Sequence, residues 1–191
     1  MLTAPLETDR LVIRRFTPAD WLAVHAYTSD PATMHFLPEG VMDEEQTRQF
    51  INENLGEETR HYPVVLKAED RLIGHMTFHP WYSTRIYEIG WVLHPDYHCQ
   101  GYTTEAATGL LRHGFETLGL HRIIATCQPE NPASYRVMEK LGMQREGLFR
   151  QGIERPDGTW WDEYFYAILA DDWFVQAADT ANRERSRKEA G

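Results

Sequence analysis

The sequence has little cysteine and no long apolar segment. Its two cysteines, Cys99 and Cys127, among 191 residues are too few for a disulfide framework, and free thiols fit a reducing compartment. No segment approaches the roughly 18 consecutive apolar residues that a membrane helix needs. The N-terminal residues lack the apolar stretch and cleavage site of a secretory signal. We therefore expect a cytoplasmic protein without a membrane partner.

Positive charge is also scarce. The formal net charge is −10, which disfavours nonspecific binding to nucleic acid and favours a cationic amine as a ligand. Hydrophobic residues make up 42% and aromatic residues 12% of the chain, enough for one domain with a substantial core. We see no internal repeat or linker. The predicted domain spans residues 6–175, and the polar segment 176–191 is expected to be a frayed helix or a disordered tail.

The common nucleotide-binding motifs are missing. No glycine loop is followed by Gly-Lys-Ser/Thr, and the Gly-x-Gly-x-x-Gly fingerprint does not occur. What is present is an apolar strand, Tyr87–Leu93, then a loop with Gly101, then an amphipathic helix that ends at Gly119. The apolar stripe of this helix comprises Ala107, Leu110, Leu111, Phe115 and Leu118. Such a unit aims free backbone N–H groups at one point, which suits a phosphate, although most such loops bind nothing.

Local punctuation and periodicity predict seven strands and four main helices. The predicted strands are Leu11–Phe16, Tyr62–Lys67, Leu72–Phe78, Ile86–Leu93, Arg122–Cys127, Met143–Ile153 and Trp160–Leu169. The predicted helices are Thr17–Ser29, Asp43–Leu55, Thr104–Leu118 and Asn131–Leu141, with a short turn or helix at Ala32–Leu37. Crossovers through helices imply parallel strands in the middle, and hairpins imply antiparallel strands at both ends. The fold class is therefore mixed α/β.

Four segments carry a family resemblance. They are LETDRLVIRRFTPAD (residues 6–20), HCQGYTTEA (98–106), NPASYRVMEKLGMQREG (131–147) and DGTWWDEYFYAIL (157–169). In this order they resemble the GNAT superfamily of acyl-CoA-dependent N-acetyltransferases, and within it the branch that contains the ribosomal-protein N-terminal acetyltransferases. The resemblance implies a mixed sheet of about seven strands, splayed between its central parallel strands and flanked by about four helices.

The resemblance also implies acetyl-CoA as the co-substrate. Its pantetheine arm would bond to the backbone of Trp91, Val92 and Leu93, beside a bulge that Gly90 would suit. Its pyrophosphate would bind the loop that comprises His98, Cys99, Gln100, Gly101, Tyr102, Thr103 and Thr104.

This loop departs from the family pattern at two positions. Gly101 matches, whereas His98 replaces an arginine or glutamine and Thr103 replaces a small residue. Thr103 crowds a phosphate, donates to it or caps the helix, and His98 is alternatively an exposed loop histidine. Glu105 would repel the phosphates, so it is expected to point away as a structural partner.

Attack by an amine requires a base, because an ammonium has no free lone pair. The resemblance assigns this role to a carboxylate in the strand before the glycine loop, which is Glu88. Desolvation in this apolar strand would raise its pKa. Glu88 is alternatively a solvent-facing or salt-bridged residue, and Asp162 and Glu163 on the last strand are the reserve candidates.

The leaving thiolate requires a hydrogen-bond donor. Many family members use a tyrosine seven residues after Asn131, but that position is Met138 here. The ribosomal-protein branch has a serine in this helix, and Ser134 matches it, on the same helix face as Met138 and Leu141. A local bond to the backbone is the alternative role. Asn131 is expected to hold pantetheine or cap the helix, and Arg136 to meet the 3′-phosphate of CoA.

The sequence therefore predicts acetyl transfer to a primary amine by direct attack in a ternary complex. The acceptor is a protein N-terminus or a small-molecule amine. The alternatives are a non-catalytic acyl-CoA sensor or structural subunit, and a protein that shares only the phosphate loop. No metal is expected, because Pro95 prevents a regular helix between His94 and His98.

Two further surfaces are predicted. Met34, His35 and Phe36 are candidates for a wall of the acceptor site, although an ordinary aromatic cluster is an equal alternative. The aromatic residues Trp160 and Trp161 on the last strand favour a homodimer.

Overall fold

The chain, seen in a computed structural model, is described over residues 2–155 and 157–189, with side chains through residue 179. The strands are β1 (Leu6–Glu7), β2 (Leu11–Ile13), β3 (His61–Leu66), β4 (Arg71–Ser83), β5 (Ile86–Leu93), β6 (Arg122–Cys127), β7 (Gln144–Glu154) and β8 (Trp160–Leu169). The helices are α1 (Trp21–Thr28), α2 (Pro31–Met34), α3 (Glu44–Glu53), α4 (Tyr102–Arg112), α5 (Pro132–Lys140) and α6 (Ala170–Glu189). A 3₁₀ turn (Pro18–Asp20) precedes α1, and a π-helical turn (His113–Thr117) extends α4.

The strands form one mixed sheet. Its order is β1-β2-β3-β4-β5-β6-β8-β7, and among the described strands only the β5–β6 pair is parallel. The predicted fold class is confirmed, with eight strands in the described residues rather than about seven. The additional strand is β1, whose two residues are too few to show an alternating pattern. The turn predicted at residues 156–158 begins at Pro156, which lies outside the described residues.

The sheet opens between β5 and β6. Parallel pairing holds only Ile86–Glu88 against Arg122–Ile124, so within the described chain no strand pairs with that side of Ile89–Leu93. The predicted splay is therefore confirmed. The bulge expected at Gly90 is wrong, because β5 keeps an unbroken register with β4 from Tyr87 to Leu93. The two strands simply diverge.

Alternate residues of β5 face opposite sides of the sheet. Tyr87, Ile89 and Leu93 pack in the main core beneath α4 and α5. Val92 packs against a second cluster formed with α1 and α3. Glu88 shares the parity of Val92, so it lies on the α1–α3 face, across the sheet from α4 and α5.

Helix α4 forms as its sequence predicts. Gly101 adopts a left-handed conformation (φ +80°) at the N-cap, and Gly119 (φ +63°) follows the π-helical turn. Of the five predicted stripe residues, Leu118 is half-buried. The other four are buried: Ala107, Leu110, Leu111 and Phe115. The hydrophobic stripe thereby fixes which helix face, and so which loop groups, remain at the surface.

Helix α6 packs on the sheet through its first turns. Trp173 is buried, stacks on Phe115 with 5.8 Å between ring centroids, and donates its indole N–H to Glu116. The predicted domain boundary at residue 175 falls inside this helix. Among the described residues, no helix combines the length and apolar character needed to cross a bilayer.

Candidate active site

The loop between β5 and α4 presents unpaired backbone donors. In the described part of the chain, no acceptor takes the N–H groups of residues 101–104, and Glu105 makes the first bond, to Gly101 O. These donors lie at the positive end of the α4 dipole, which is an arrangement that binds anions. The hydroxyl of Thr103 has no partner among the described residues, so it does not cap the helix.

His98 links this loop back to the sheet. Its Nε2 lies 2.9 Å from the carbonyl oxygen of Leu93, the last residue of β5. Gln100 similarly donates its side-chain amide to Asp96 O. His98 therefore has a structural contact, and its predicted phosphate contact stays a prediction.

Glu105 points away from the loop donors, as predicted. Its carboxylate accepts hydrogen bonds from the Thr8 hydroxyl (2.6 Å), the Arg10 backbone N–H (2.8 Å) and Arg10 Nε (2.6 Å). Partial burial acts to raise the pKa of Glu105, but the bonds from Thr8 and Arg10 hold that pKa below its usual value. A negative charge in the first turns of α4 is thereby neutralised.

Helix α5 places a hydroxyl at the sheet opening. Asn131 caps α5 by accepting a hydrogen bond from the Ser134 N–H (3.2 Å), which confirms its predicted capping role. Burial raises the pKa of the Cys127 thiol to about 11, and a hydrogen bond from the Ser134 hydroxyl opposes this rise. Cys127 ends β6 beyond the last β5–β6 pair. The Ser134 hydroxyl therefore lies beside the opening, on the α4–α5 face. Met138, which has no donor, is buried.

Glu88 lies on the other face beside a histidine. Burial raises the pKa of Glu88, with a further rise from the charge of Glu163, whereas His79 acts to lower it. His79 Nε2 is 3.8 Å from a Glu88 carboxylate oxygen, and its Nδ1 lies 2.9 Å from the Pro80 carbonyl oxygen. Because a carbonyl oxygen only accepts, the Nδ1 atom of His79 carries a proton and donates it to Pro80 O.

The two reserve carboxylates differ in what they do. Asp162 accepts a 2.8 Å hydrogen bond from the backbone N–H of Gln151, a residue with φ +51° in an irregular part of β7. Asp162 thus has a structural role. Glu163 influences the pKa values of both Glu88 and Cys127, so its charge lies close to the opening.

The predicted acceptor wall lies next to β8. Phe36 and His35 pack on Trp161 with ring centroids 6.0 and 5.9 Å away. Gln128, the residue after β6, donates its side-chain amide to Phe36 O at 3.0 Å. A cavity of about 270 Å³ is lined by Pro31, Met34, His35, Leu37, Gly40, Val41, Arg155, Asp157 and Trp161. A second cavity, of about 710 Å³, runs along α4 past Gly101 and Thr104. The site therefore has a cavity on each side.

These features together match one family of enzymes. A family model described as an acetyltransferase (GNAT) domain matches residues 10–144. The chain belongs to the GNAT acetyltransferase family. GNAT enzymes use acetyl-CoA, and the unpaired edge of Ile89–Leu93 and the free N–H groups of residues 101–104 fit its pantetheine and diphosphate.

Individual GNAT relatives support this assignment. The chain is 52% identical over 169 residues to the uncharacterized N-acetyltransferase YnaD of Bacillus subtilis, covering 88% of this chain and 98% of YnaD. The crystal structure of a GNAT-family acetyltransferase from Bacillus anthracis matches with a TM-score of 0.85 at 52% identity, covering 87% of this chain and 99% of that one. The Escherichia coli ribosomal protein uS5-alanine N-acetyltransferase is 28% identical over 188 residues, covering 88% of this chain and 92% of that protein. The protein is therefore an acetyl-CoA-dependent N-acetyltransferase, as its sequence predicts.

Sequence reasoning missed several residues of this GNAT site. His79 was detectable, because His75, Thr77 and His79 alternate along β4 on the face that also carries Glu88. Ser134 was predicted, but its proximity to Cys127 and the contact of Gln128 with Phe36 gave no sequence signal, since they join segments whose packing the sequence does not specify. No group of three or more His, Cys, Asp or Glu side chains in the described chain is arranged to bind a metal.

Proposed function

We propose that the enzyme transfers acetyl from acetyl-CoA to a primary amine, either a protein N-terminal α-amine or a small-molecule amine, by direct attack in a ternary complex. One observation carries the proposal: the β5–β6 opening has the Ser134 hydroxyl on one face and the Glu88 carboxylate on the other. Acetyl-CoA enters from the α4–α5 face and the amine from the α1–α3 face. The thioester carbon lies between them.

The CoA side is held mainly by backbone. Trp91, Val92 and Leu93 pair with pantetheine in place of the missing β6 partner, and the loop of residues 98–104 binds the diphosphate through the free N–H groups of residues 101–104. Asn131 adds a contact to pantetheine, and the exposed Arg136 meets the 3′-phosphate. Backbone N–H groups of β5 polarise the acetyl carbonyl and stabilise the oxyanion that forms on attack.

The acceptor side supplies negative charge and a base. Glu88 and Glu163 attract the ammonium, and Glu88 removes a proton from it directly or through water. The neutral amine nitrogen then forms a bond to the acetyl carbon, and the carbon–sulfur bond breaks. The thiolate that leaves accepts a hydrogen bond from Ser134 until it takes up, directly or through water, the second proton that the nitrogen loses on becoming an amide. The raised pKa of Glu88 suits this role, because a base with a higher pKa holds the proton more firmly.

A thiol-release assay tests this function. The wild-type enzyme is given acetyl-CoA and a panel that contains N-terminal peptides, polyamines, aminoglycosides and amino acids. We expect amine-dependent release of CoA with at least one acceptor and a mass gain of one acetyl group on that acceptor. Binding of CoA without release across the panel would instead favour the sensor. Glu88→Gln and Ser134→Ala should each lower kcat while CoA binding measured by calorimetry is retained.

A further inference from the structure

We infer that Arg10 is a positioning residue for the diphosphate of CoA, although it lies outside the phosphate loop in sequence. Arg10 belongs to the turn between β1 and β2, at the opposite edge of the sheet from β7. The inference rests on the proposed function only in its choice of ligand. It concerns how the loop is held and how a charge beside it is cancelled.

Three side-chain contacts attach Arg10 to the loop and to α4, besides the bond from its backbone N–H to Glu105. Its Nη1 donates to the carbonyl oxygen of Gln100 at 3.1 Å, and its Nε bonds to the Glu105 carboxylate at 2.6 Å. Its guanidinium carbon lies 4.3 Å from the centre of the Tyr102 ring, which is stacking distance for a cation–π contact. A planar guanidinium with several donors makes all three contacts at once, and an ammonium does not.

The loop needs such support because its backbone is left-handed on both sides of Gln100, and at Cys99, which is not a glycine, this conformation is strained. Cys99 has φ +59° and Gly101 has φ +80°. A left-handed conformation at a non-glycine residue costs roughly 1 kcal/mol and persists only where neighbouring contacts enforce it. The bond from Arg10 to Gln100 O fixes the orientation of the peptide that joins Gln100 to Gly101. It thereby fixes the direction of the N–H groups that follow.

Charge gives Arg10 a second effect. Residues 94–104 contain no lysine or arginine, and Glu105 places a carboxylate one turn from the free N–H groups. Left unpaired, this carboxylate would repel a diphosphate. Arg10 neutralises it and, with Thr8, holds it on the β1 side of α4. The cavity of about 710 Å³ beside α4 is lined by Thr8, Gly101 and Glu105 among others, so the cancelled charge borders open space.

The test compares Arg10→Ala with a matched control, Lys67→Ala. Lys67 Nζ holds the same turn through Thr8 O (2.7 Å) and pairs with Glu7 (2.8 Å), but it touches neither the loop nor Glu105. Binding of CoA and of pantetheine is measured by calorimetry, and KM and kcat are measured with acetyl-CoA and with S-acetylpantetheine, which lacks the diphosphate. Melting temperatures report whether each variant folds.

We expect Arg10→Ala to weaken CoA binding about tenfold or more, from the loss of charge-assisted hydrogen bonds. Pantetheine binding and kcat at saturating acetyl-CoA should stay unchanged, and Lys67→Ala should bind CoA like the wild type. Arg10→Lys should recover only part of the affinity. The double variant Arg10→Ala/Glu105→Gln should bind CoA more tightly than Arg10→Ala, because the uncancelled charge is gone.

Three results would overturn the inference. They are equal losses for CoA and pantetheine, equal losses in Arg10→Ala and Lys67→Ala, or no recovery when Glu105 is neutralised. If Arg10→Ala does not fold, Arg10→Lys and Glu105→Gln give the same comparison. An enzyme that bound CoA but acetylated no amine would refute the proposed function and leave the binding comparison for Arg10 intact.

Discussion

Replacing Glu88 by glutamine separates the acid–base step from cofactor binding. Glutamine keeps the size and the carbonyl acceptor but has no basic oxygen. Loss of a general base costs about 10²–10⁴-fold in rate, or roughly 3–5.5 kcal/mol. The Glu88 side chain is 29% exposed, so water partly replaces it, and we expect the low end, a fall in kcat of about 10²-fold. CoA affinity should not change, because Glu88 lies on the face away from α4 and α5.

The pH profile tests the same reasoning through a neighbour. Burial and the charge of Glu163 raise the pKa of Glu88. On the acid side, wild-type kcat should therefore begin to fall at a pH above the pKa of an ordinary carboxyl group. Glu163→Gln should move this fall to lower pH. The matched control is Asp162→Asn, which still accepts the bond from Gln151 and should keep kcat within about twofold. Full activity of Glu88→Gln, or an acid fall that Glu163→Gln leaves in place, would refute Glu88 as the base.

Three other predictions concern the thiolate, the sheet and acid stability. Ser134→Ala should lower kcat about tenfold and raise the pKa of Cys127, measured by thiol alkylation against pH, because a hydrogen bond that lowers that pKa is lost; an unchanged alkylation profile would contradict the contact. Gly74→Ala should destabilise the fold by roughly 1–3 kcal/mol and weaken CoA binding, since its methyl would lie 2.8 Å from Leu93 Cα. Denaturation measures the stability and calorimetry measures the CoA affinity. Gly56→Ala, with open space around it, is the control. Burial lowers the pKa of His61 from 6.5 to about 4, so below pH 6.5 the unfolded chain binds more protons and stability should fall, by about 2 kcal/mol at pH 5 from this residue. Urea denaturation at pH 7 and pH 5 measures it, and a loss as large in His61→Gln would refute the assignment.

The elements around the site could be predicted because their signals are local. Gly101 and Gly119 bound the long helix, and Asn131 and Pro132 start the short one, so both helices lie close to their predicted limits. The β6 strand is as predicted at both ends. Glycine and the N-cap residues act through their own backbone conformation or hydrogen bonds, which no distant contact needs to supply.

The remaining features depend on contacts between distant segments. The insertion of β8 between β6 and β7 follows from packing, since a hairpin alone allows either strand to face β6. A bulge was expected at Gly90. The position that requires glycine is instead Gly74, where a Cβ would collide with the backbone of Val92 and Leu93 on β5. Arg10 lies 95 positions from Glu105 and carried no sign of its role. Of the site, the sequence therefore gives candidate residues but not their mutual contacts.

The short pairing between β5 and β6 has a consequence for how long the protein resists degradation. Three residue pairs join the two halves of the sheet directly, so the edge beyond them should exchange its amide protons readily when no thioester is bound. A ligand that fills this edge binds only the folded chain, and at a hundred times its Kd it adds about 2.7 kcal/mol to folding. Proteolytic lifetime would then track the supply of acyl donor, which links the persistence of the enzyme to the metabolic state of its surroundings.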